Sequence, residues 1–180
     1  MLAVSGIAEL NLRDCSADDI PAITAIYGHA VLQGRASFEL VPPDEREMEA
    51  RREALVSALF PYVVAEIGGE LVGYAYASAY RPRPAYGSTV ENSVYVKERL
   101  QGGGIGRTLL KRLITEAEAR GFRQMVAVIG DSANRASIKL HESLSFSLVG
   151  TLRSVGWKHG RWLDSVLMQR SLGPGDTRPR

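Results

Sequence analysis

Val90-Glu91-Asn92-Ser93-Val94-Tyr95-Val96, then Gln101-Gly102-Gly103-Gly104-Ile105-Gly106, then a run carrying Leu109, Leu110, Leu113, Ile114 and Ala117 before Gly121: the reading of this stretch decides the fold. The first seven residues read as a strand. The apolar positions of the last run recur every three to four residues, as one face of a helix requires, and Gly121 stops that helix. The unit is therefore strand, glycine loop, helix. Several glycines at a helix start let the backbone approach a phosphate, while the free N–H groups and the helix dipole hold its negative charge. An anionic ligand is expected there, with a plain flexible turn as the alternative. Two familiar phosphate loops fail on spacing: no Gly-Lys-Ser/Thr follows the glycines, and no acidic residue closes a strand about 20 residues on.

The alternation continues downstream with a strand from Met125 to Ile129, a helix from about Asn134 to Ser143, and strands over Phe146 to Leu152 and about Trp162 to Gln169. Upstream, Arg81-Pro82-Arg83-Pro84 interrupts, and before it Tyr62 to Glu66, Gly68-Gly69 and Leu71 to Ala77 read as a β-hairpin. Two helices come first. One follows Asp18-Asp19 with Ile20, Ile23, Ile26, Tyr27 and Val31 at helical spacing and ends near Gly34; the other opens at Asp44, with Glu47 at capping-box distance, and is closed by Pro61. This order predicts a single mixed α/β sheet flanked by helices. One domain over residues 1–180 is expected, with its core at about 10–172 and a frayed tail at 173–180.

The chain has 180 residues, 22 Lys+Arg against 20 Asp+Glu, and 45% hydrophobic content, which excludes collagen-like, disordered and disulfide-stapled classes. At this length folding buries roughly 70% of the unfolded surface, enough for a core without metal or disulfide. A net charge of +2 without a basic block implies neither nucleic acid nor a membrane surface as partner. Cys15 is the sole cysteine and has no neighbours suited to a zinc site, so no metal is expected. Met1 to Leu10 lacks the basic leader of a signal peptide, and no stretch approaches 18 uninterrupted apolar residues, so a cytoplasmic setting is expected.

Gln101-Gly102-Gly103-Gly104-Ile105-Gly106 matches the Gln/Arg-x-x-Gly-x-Gly/Ala signature of the GNAT superfamily of acyl-CoA-dependent N-acetyltransferases. With Thr89 to Val96 before it, and Val126 to Gly130, Asn134, Ser137, Leu140-His141-Glu142 and Phe146 after it, the chain resembles the phosphinothricin acetyltransferases and their relatives acting on methionine sulfoximine and methionine sulfone. The likeness also takes in Ala36-Ser37-Phe38-Glu39, Pro42-Pro43 and Gly156 to Asp164. One departure is Ser145, where relatives usually carry glycine; a left-handed helix end there costs a serine about 1 kcal/mol.

The resemblance implies a GNAT-type, mostly antiparallel sheet with acetyl-CoA in a cleft splayed between the Val90 to Val96 and Met125 to Ile129 strands. The pyrophosphate would sit on N–H groups of Gly102, Gly103, Gly104, Ile105, Gly106 and Arg107. Backbone groups of Val94, Tyr95 and Val96 would pair with the pantetheine arm, and Asn134 would bond the arm or simply cap its helix. Amide formation needs a proton removed from the ammonium and one supplied to the thiolate. Glu91 matches the family's general base, with an exposed strand-end charge as the alternative. His141 stands where many relatives carry a tyrosine proton donor; it is an acid or base candidate, or a satisfied helix histidine. Arg81 and Arg83 suit a substrate carboxylate, or are two solvated charges, and Phe38 with Tyr86 would form a lid.

The expected substrate is a small amino-acid-like amine. Another free amine, a protein N-terminus, or a non-catalytic acyl-CoA sensor are the alternatives. Relatives are usually dimers, so a homodimer is implied, with Trp157 and Trp162 either at its contact or packed in the core.

Overall fold

The computed structural model describes residues 9–179, so residues 1–8 of the segment read for a leader, and Arg180 of the tail, lie outside the described residues. Seven strands form one sheet: β1 (Leu10–Asp14), β2 (Tyr62–Ile67), β3 (Glu70–Ala79), β4 (Thr89–Val96), β5 (Gln124–Gly130), β6 (Ser147–Lys158) and β7 (Arg161–Ser171). Their order is β1-β2-β3-β4-β5-β7-β6, antiparallel throughout except for the parallel β4–β5 pair. Four helices cover it: α1 (Ile20–Gln33), α2 (Glu45–Ser57), α3 (Ile105–Ala119) and α4 (Arg135–Glu142). The mixed, mostly antiparallel α/β architecture is the one expected.

The local chemistry behaves as the spacing predicts. Asp44 accepts from the backbone N–H of Glu47 at 2.8 Å and so caps α2, while the Glu47 carboxylate accepts from Arg51 Nε at 3.1 Å instead of completing the capping box. The hairpin turns at Gly68 and Gly69, both at positive φ. Ser145 does take the left-handed conformation, at φ +64°.

Three points differ from the expectation. β1 precedes α1, a strand that the expected order lacks; its two leucines are only partly buried, and five residues give too little alternation to read. β6 runs six residues beyond Leu152, because register shifts at Leu148/Gly150 and Leu152/Gly156 break its period. The segment after Leu172, read as a frayed tail, carries hydrogen bonds: Arg123 donates to the carbonyls of Gly175 at 3.1 Å and Pro179 at 3.2 Å.

Alternation along β4 sorts its side chains onto two cores. Val90 lies in the core under α3, with Val94 and Val96 packed against it, whereas Tyr95 packs against the core under α1 and α2. Asn92 therefore shares the α3–α4 face, and Glu91 and Ser93 the α1–α2 face. Pairing of β4 with β5 stops at Asn92↔Ala127, while β3 follows β4 to Val96 and β7 follows β5 to Gly130. Each strand keeps its outer partner, so the sheet parts along one seam.

Candidate active site

The seam opens into a cleft of about 980 Å³ lined by Val94, Tyr95, Val96, the glycine loop, Arg107, Asn134 and His141, and on the far wall by α1 and residues 34–36. That is the upper end of the roughly 300–1,000 Å³ found for ligand sites, and it suits a long carrier molecule. Gly102 (φ +81°) and Gly104 (φ +86°) hold left-handed backbone, which a side-chain-bearing residue adopts only at a cost. Gly104 is the residue preceding α3, so the unpaired N–H groups of that helix's first turn open onto the loop. Arg35, Lys97, Arg99, Arg107 and Arg135 line the same cleft with Glu98 and Asp131; Arg35 pairs with Asp131 at 3.1 Å, and Lys97 and Arg99 pair with Glu70 at 2.6 and 2.7 Å. Across its mouth His29 Nε2 lies 3.0 Å from Glu98 Oε2, joining α1 to the turn before the glycine loop.

Val94, Tyr95 and Val96 stand at the parted end of β4, beyond its last pair with β5. Tyr95 faces away from the α3 side, its ring 5.2 Å from that of Tyr74, so backbone is what it offers a ligand. Ile105 is buried beneath the loop. Asn134 accepts from the Ser137 N–H at 3.2 Å and so caps α4, while also lining the cleft.

Glu91 is on the other face of β4. It is partly buried, and desolvation raises its carboxyl above the ordinary carboxylate range, with Arg81 opposing. His141 is on the cleft side and only 4% exposed. Its Nδ1 lies 2.8 Å from the Ser137 carbonyl and its Nε2 3.0 Å from Asn92 Oδ1. Burial pulls the imidazole toward its neutral form, and the Ser137 bond opposes this. The two catalytic candidates thus approach the seam from opposite faces of the sheet.

The substrate candidates divide. Arg81 lies over the Tyr80 ring at 5.1 Å, and Tyr80 meets Tyr86 edge-on at 5.7 Å. This group rims the Glu91 side. Arg83 is exposed and precedes the short 3-10 turn Pro84–Tyr86. Phe38 sits over β6: a Cβ on Gly156 would come within 2.4 Å of its ring, so only glycine admits it.

Four residues that the sequence reading did not single out shape the site. Asn92 donates from Nδ2 to the Val126 carbonyl at 3.1 Å; an amide at an inward position of an apolar strand was the available signal. Lys158 is 4% exposed and donates from Nζ to the Ser37 carbonyl at 2.7 Å, tying the loop before Phe38 to the β6–β7 hairpin. Burial lowers its ammonium pKa. Arg51 of α2 pairs with Glu39 at 2.8 Å, next to Phe38 in the chain. Tyr76, whose ring stacks with Tyr74, projects from β3 onto the Glu91 face. The Cys15 thiol, by contrast, is buried and pushed up to about 12, which makes it inert.

A parted β4–β5 seam with a glycine loop and helix start on one side and a partly buried carboxylate on the other suits an anionic acyl carrier facing an amine. The family model for the acetyltransferase (GNAT) family matches residues 25–146, and the chain belongs to that family. It is 56% identical over 160 residues, 89% of this chain and 81% of the relative, to a phosphinothricin N-acetyltransferase of Alcaligenes faecalis. It is 41% identical to an L-methionine sulfoximine/L-methionine sulfone acetyltransferase of Pseudomonas paraeruginosa, over 94% of this chain and 98% of that one. Among solved structures, a phosphinothricin acetyltransferase from Sinorhizobium meliloti in complex with acetyl-CoA superposes with TM-score 0.92 at 47% identity, covering 94% of this chain and 92% of that one.

Proposed function

We propose that the protein transfers the acetyl group of acetyl-CoA to the α-amine of a small amino-acid-like substrate such as phosphinothricin, methionine sulfoximine or methionine sulfone. The parted seam carries this reading, because it brings a glycine loop at a helix start and a partly buried carboxylate to opposite sides of one opening. The loop residues 102–107 would hold the pyrophosphate, and backbone groups of Val94 to Val96 the pantetheine arm, leaving the thioester at the seam.

Glu91 is the general base. Desolvation raises its pKa, which makes it a better proton acceptor than an exposed glutamate, and the Arg81 charge opposes the rise by favouring the carboxylate. It takes a proton from the substrate ammonium, directly or through water; the freed amine attacks the thioester carbon and the C–N bond forms. The C–S bond then breaks, its electron pair stays on sulfur, and the thiolate and amide nitrogen settle their protons with solvent. Arg81, on the same rim, meets the substrate carboxylate.

Whole-chain coverage of the relatives supports a single N-acetyltransferase domain. The relatives that act on phosphinothricin and on methionine sulfoximine and sulfone support a small-molecule partner rather than a polymer. No helix among the described residues is long and apolar enough to cross a membrane; we take the setting as cytoplasmic. The exposed apolar side chains of β6, Leu148, Val149, Leu152, Val155 and Trp157, with Trp162 beside Trp157, support a homodimer.

Coenzyme A release with acetyl-CoA and a panel of phosphinothricin, the two methionine derivatives, plain amino acids and an N-terminal peptide tests the reading. The three amino-acid analogues should turn over fastest, and Arg81→Ala should raise their KM roughly ten- to hundredfold. Preference for the peptide would overturn the substrate class, and tight acetyl-CoA binding without turnover of any amine would favour a sensor.

A further inference from the structure

Asn92 and His141 are 49 positions apart in the chain and meet at the point where β4 and β5 separate. Asn92 is the last β4 residue paired with β5, and its Nδ2 reaches sideways to the Val126 carbonyl. Its Oδ1 faces His141, whose other nitrogen faces Ser137 in the first turn of α4. The imidazole is also held edge-on against Phe146, ring centroids 5.0 Å apart at 90°. One chain of contacts thus runs from α4 through the ring and the amide to β5, with both side chains at most 6% exposed.

We infer that Asn92 and His141 form a pin that fixes where the two strands part, and so set the width of the cleft that receives the pantetheine arm. His141 is in this respect a positioning residue, acting on the cofactor site through Asn92. A group that protonates a departing thiolate must aim an N–H into the cleft, whereas the ring nitrogens of His141 point at the Ser137 carbonyl and at Asn92 Oδ1; both are acceptors, so the neutral ring donates its one N–H to one of them, and the pin uses the tautomer that donates from Nε2 to Asn92. The side-chain amide, bonded to the carbonyl of Val126, which lies opposite Glu91, braces the last paired residues of β4 and β5, and the strands beyond them are free to diverge. Without it, the backbone groups of Val94 to Val96 lose their fixed distance from β5.

The inference rests on the acetyl-transfer reading, and the test separates the two. Acetyl-CoA affinity is measured by calorimetry without amine, and kcat, KM and the pH profile by coenzyme A release, for wild type, His141→Gln, His141→Phe, Asn92→Leu and the Asn92→Leu/His141→Phe pair. Glutamine places an amide nitrogen near the Nε2 position and keeps the bond to Asn92 without the ability to titrate, so it should match wild type, including the basic limb of kcat. His141→Phe and Asn92→Leu should each weaken acetyl-CoA binding about tenfold while leaving the amine KM unchanged, and the pair should be no worse than the worse single. A hundredfold loss of kcat in His141→Gln with unchanged acetyl-CoA affinity would make His141 the proton donor and overturn the pin. Wild-type affinity in both His141→Phe and Asn92→Leu would overturn it as well. A wild-type protein that does not bind acetyl-CoA at all would instead overturn the acetyl-transfer reading.

Discussion

Glu91, the proposed base, ties a stability prediction to a catalytic one. Desolvation raises its pKa above the 4.5 of a free glutamate, with the Arg81 charge pulling the other way. A raised folded-state pKa means that the ionised form is worse off folded than unfolded. The associated stability is present below the unfolded value and is lost as pH rises through the folded one. Glu91→Gln removes that loss while keeping shape, so the variant should melt above wild type at pH 7, with the gap closing below about pH 4. Its kcat should fall roughly 10²- to 10⁴-fold, and the acidic limb of the wild-type profile should disappear. Melting curves against pH and a kcat profile check both. Unchanged turnover with an unshifted acidic limb would return Glu91 to a strand-end charge.

At the scale of elements, the turn between α4 and β6 offers the cleanest stability test. Ser145 sits at φ +64°, a left-handed position that a Cβ disfavours by about 1 kcal/mol. Ser145→Gly should raise stability by about that amount and the melting temperature by roughly 2–4 °C for a domain of this size. Kinetics should not move, because the residue carries no reacting group. A variant no more stable than wild type would mean that the serine side chain makes a compensating contact. The position was legible in the sequence because a helix end needs a definite backbone conformation, and the same locality made α2's cap at Asp44 and the glycine loop legible. β1 and the outer half of β6 were not: one is too short for its period to show, and the other loses its period at two register shifts. The Asn92–His141 contact and the Lys158–Ser37 tie were also out of reach, since each depends on the register of strands distant in the chain. Glu91, Arg81 and the glycine loop lie within one continuous stretch around β4, which is why the candidate site could be read before its walls.

At the scale of the whole molecule, the proposed homodimer turns on the exposed β6–β7 hairpin. β6 is an edge strand of the sheet, and Trp157 and Trp162 stand out of the β6–β7 hairpin, 56% and 62% exposed, with ring centroids 5.2 Å apart. Packing within the core, the other expectation for these tryptophans, is thereby excluded. Leu148, Val149, Leu152 and Val155 extend the same strand's exposed apolar surface, and such a surface gains most by being covered. The hairpin that carries the tryptophans also carries Lys158 and Gly156, which hold the Phe38 loop. Covering the hairpin with a second copy should therefore stiffen the substrate side as well. Wild-type protein should sediment at twice the chain mass and melt at a temperature that rises with its concentration. Trp157→Asp with Trp162→Ser should sediment as a single chain, lose the concentration dependence, and show a raised KM for the amine with acetyl-CoA affinity retained. Wild type that sediments as a monomer would discard the dimer, and a monomeric variant with an unchanged amine KM would discard the link between the hairpin and the substrate side.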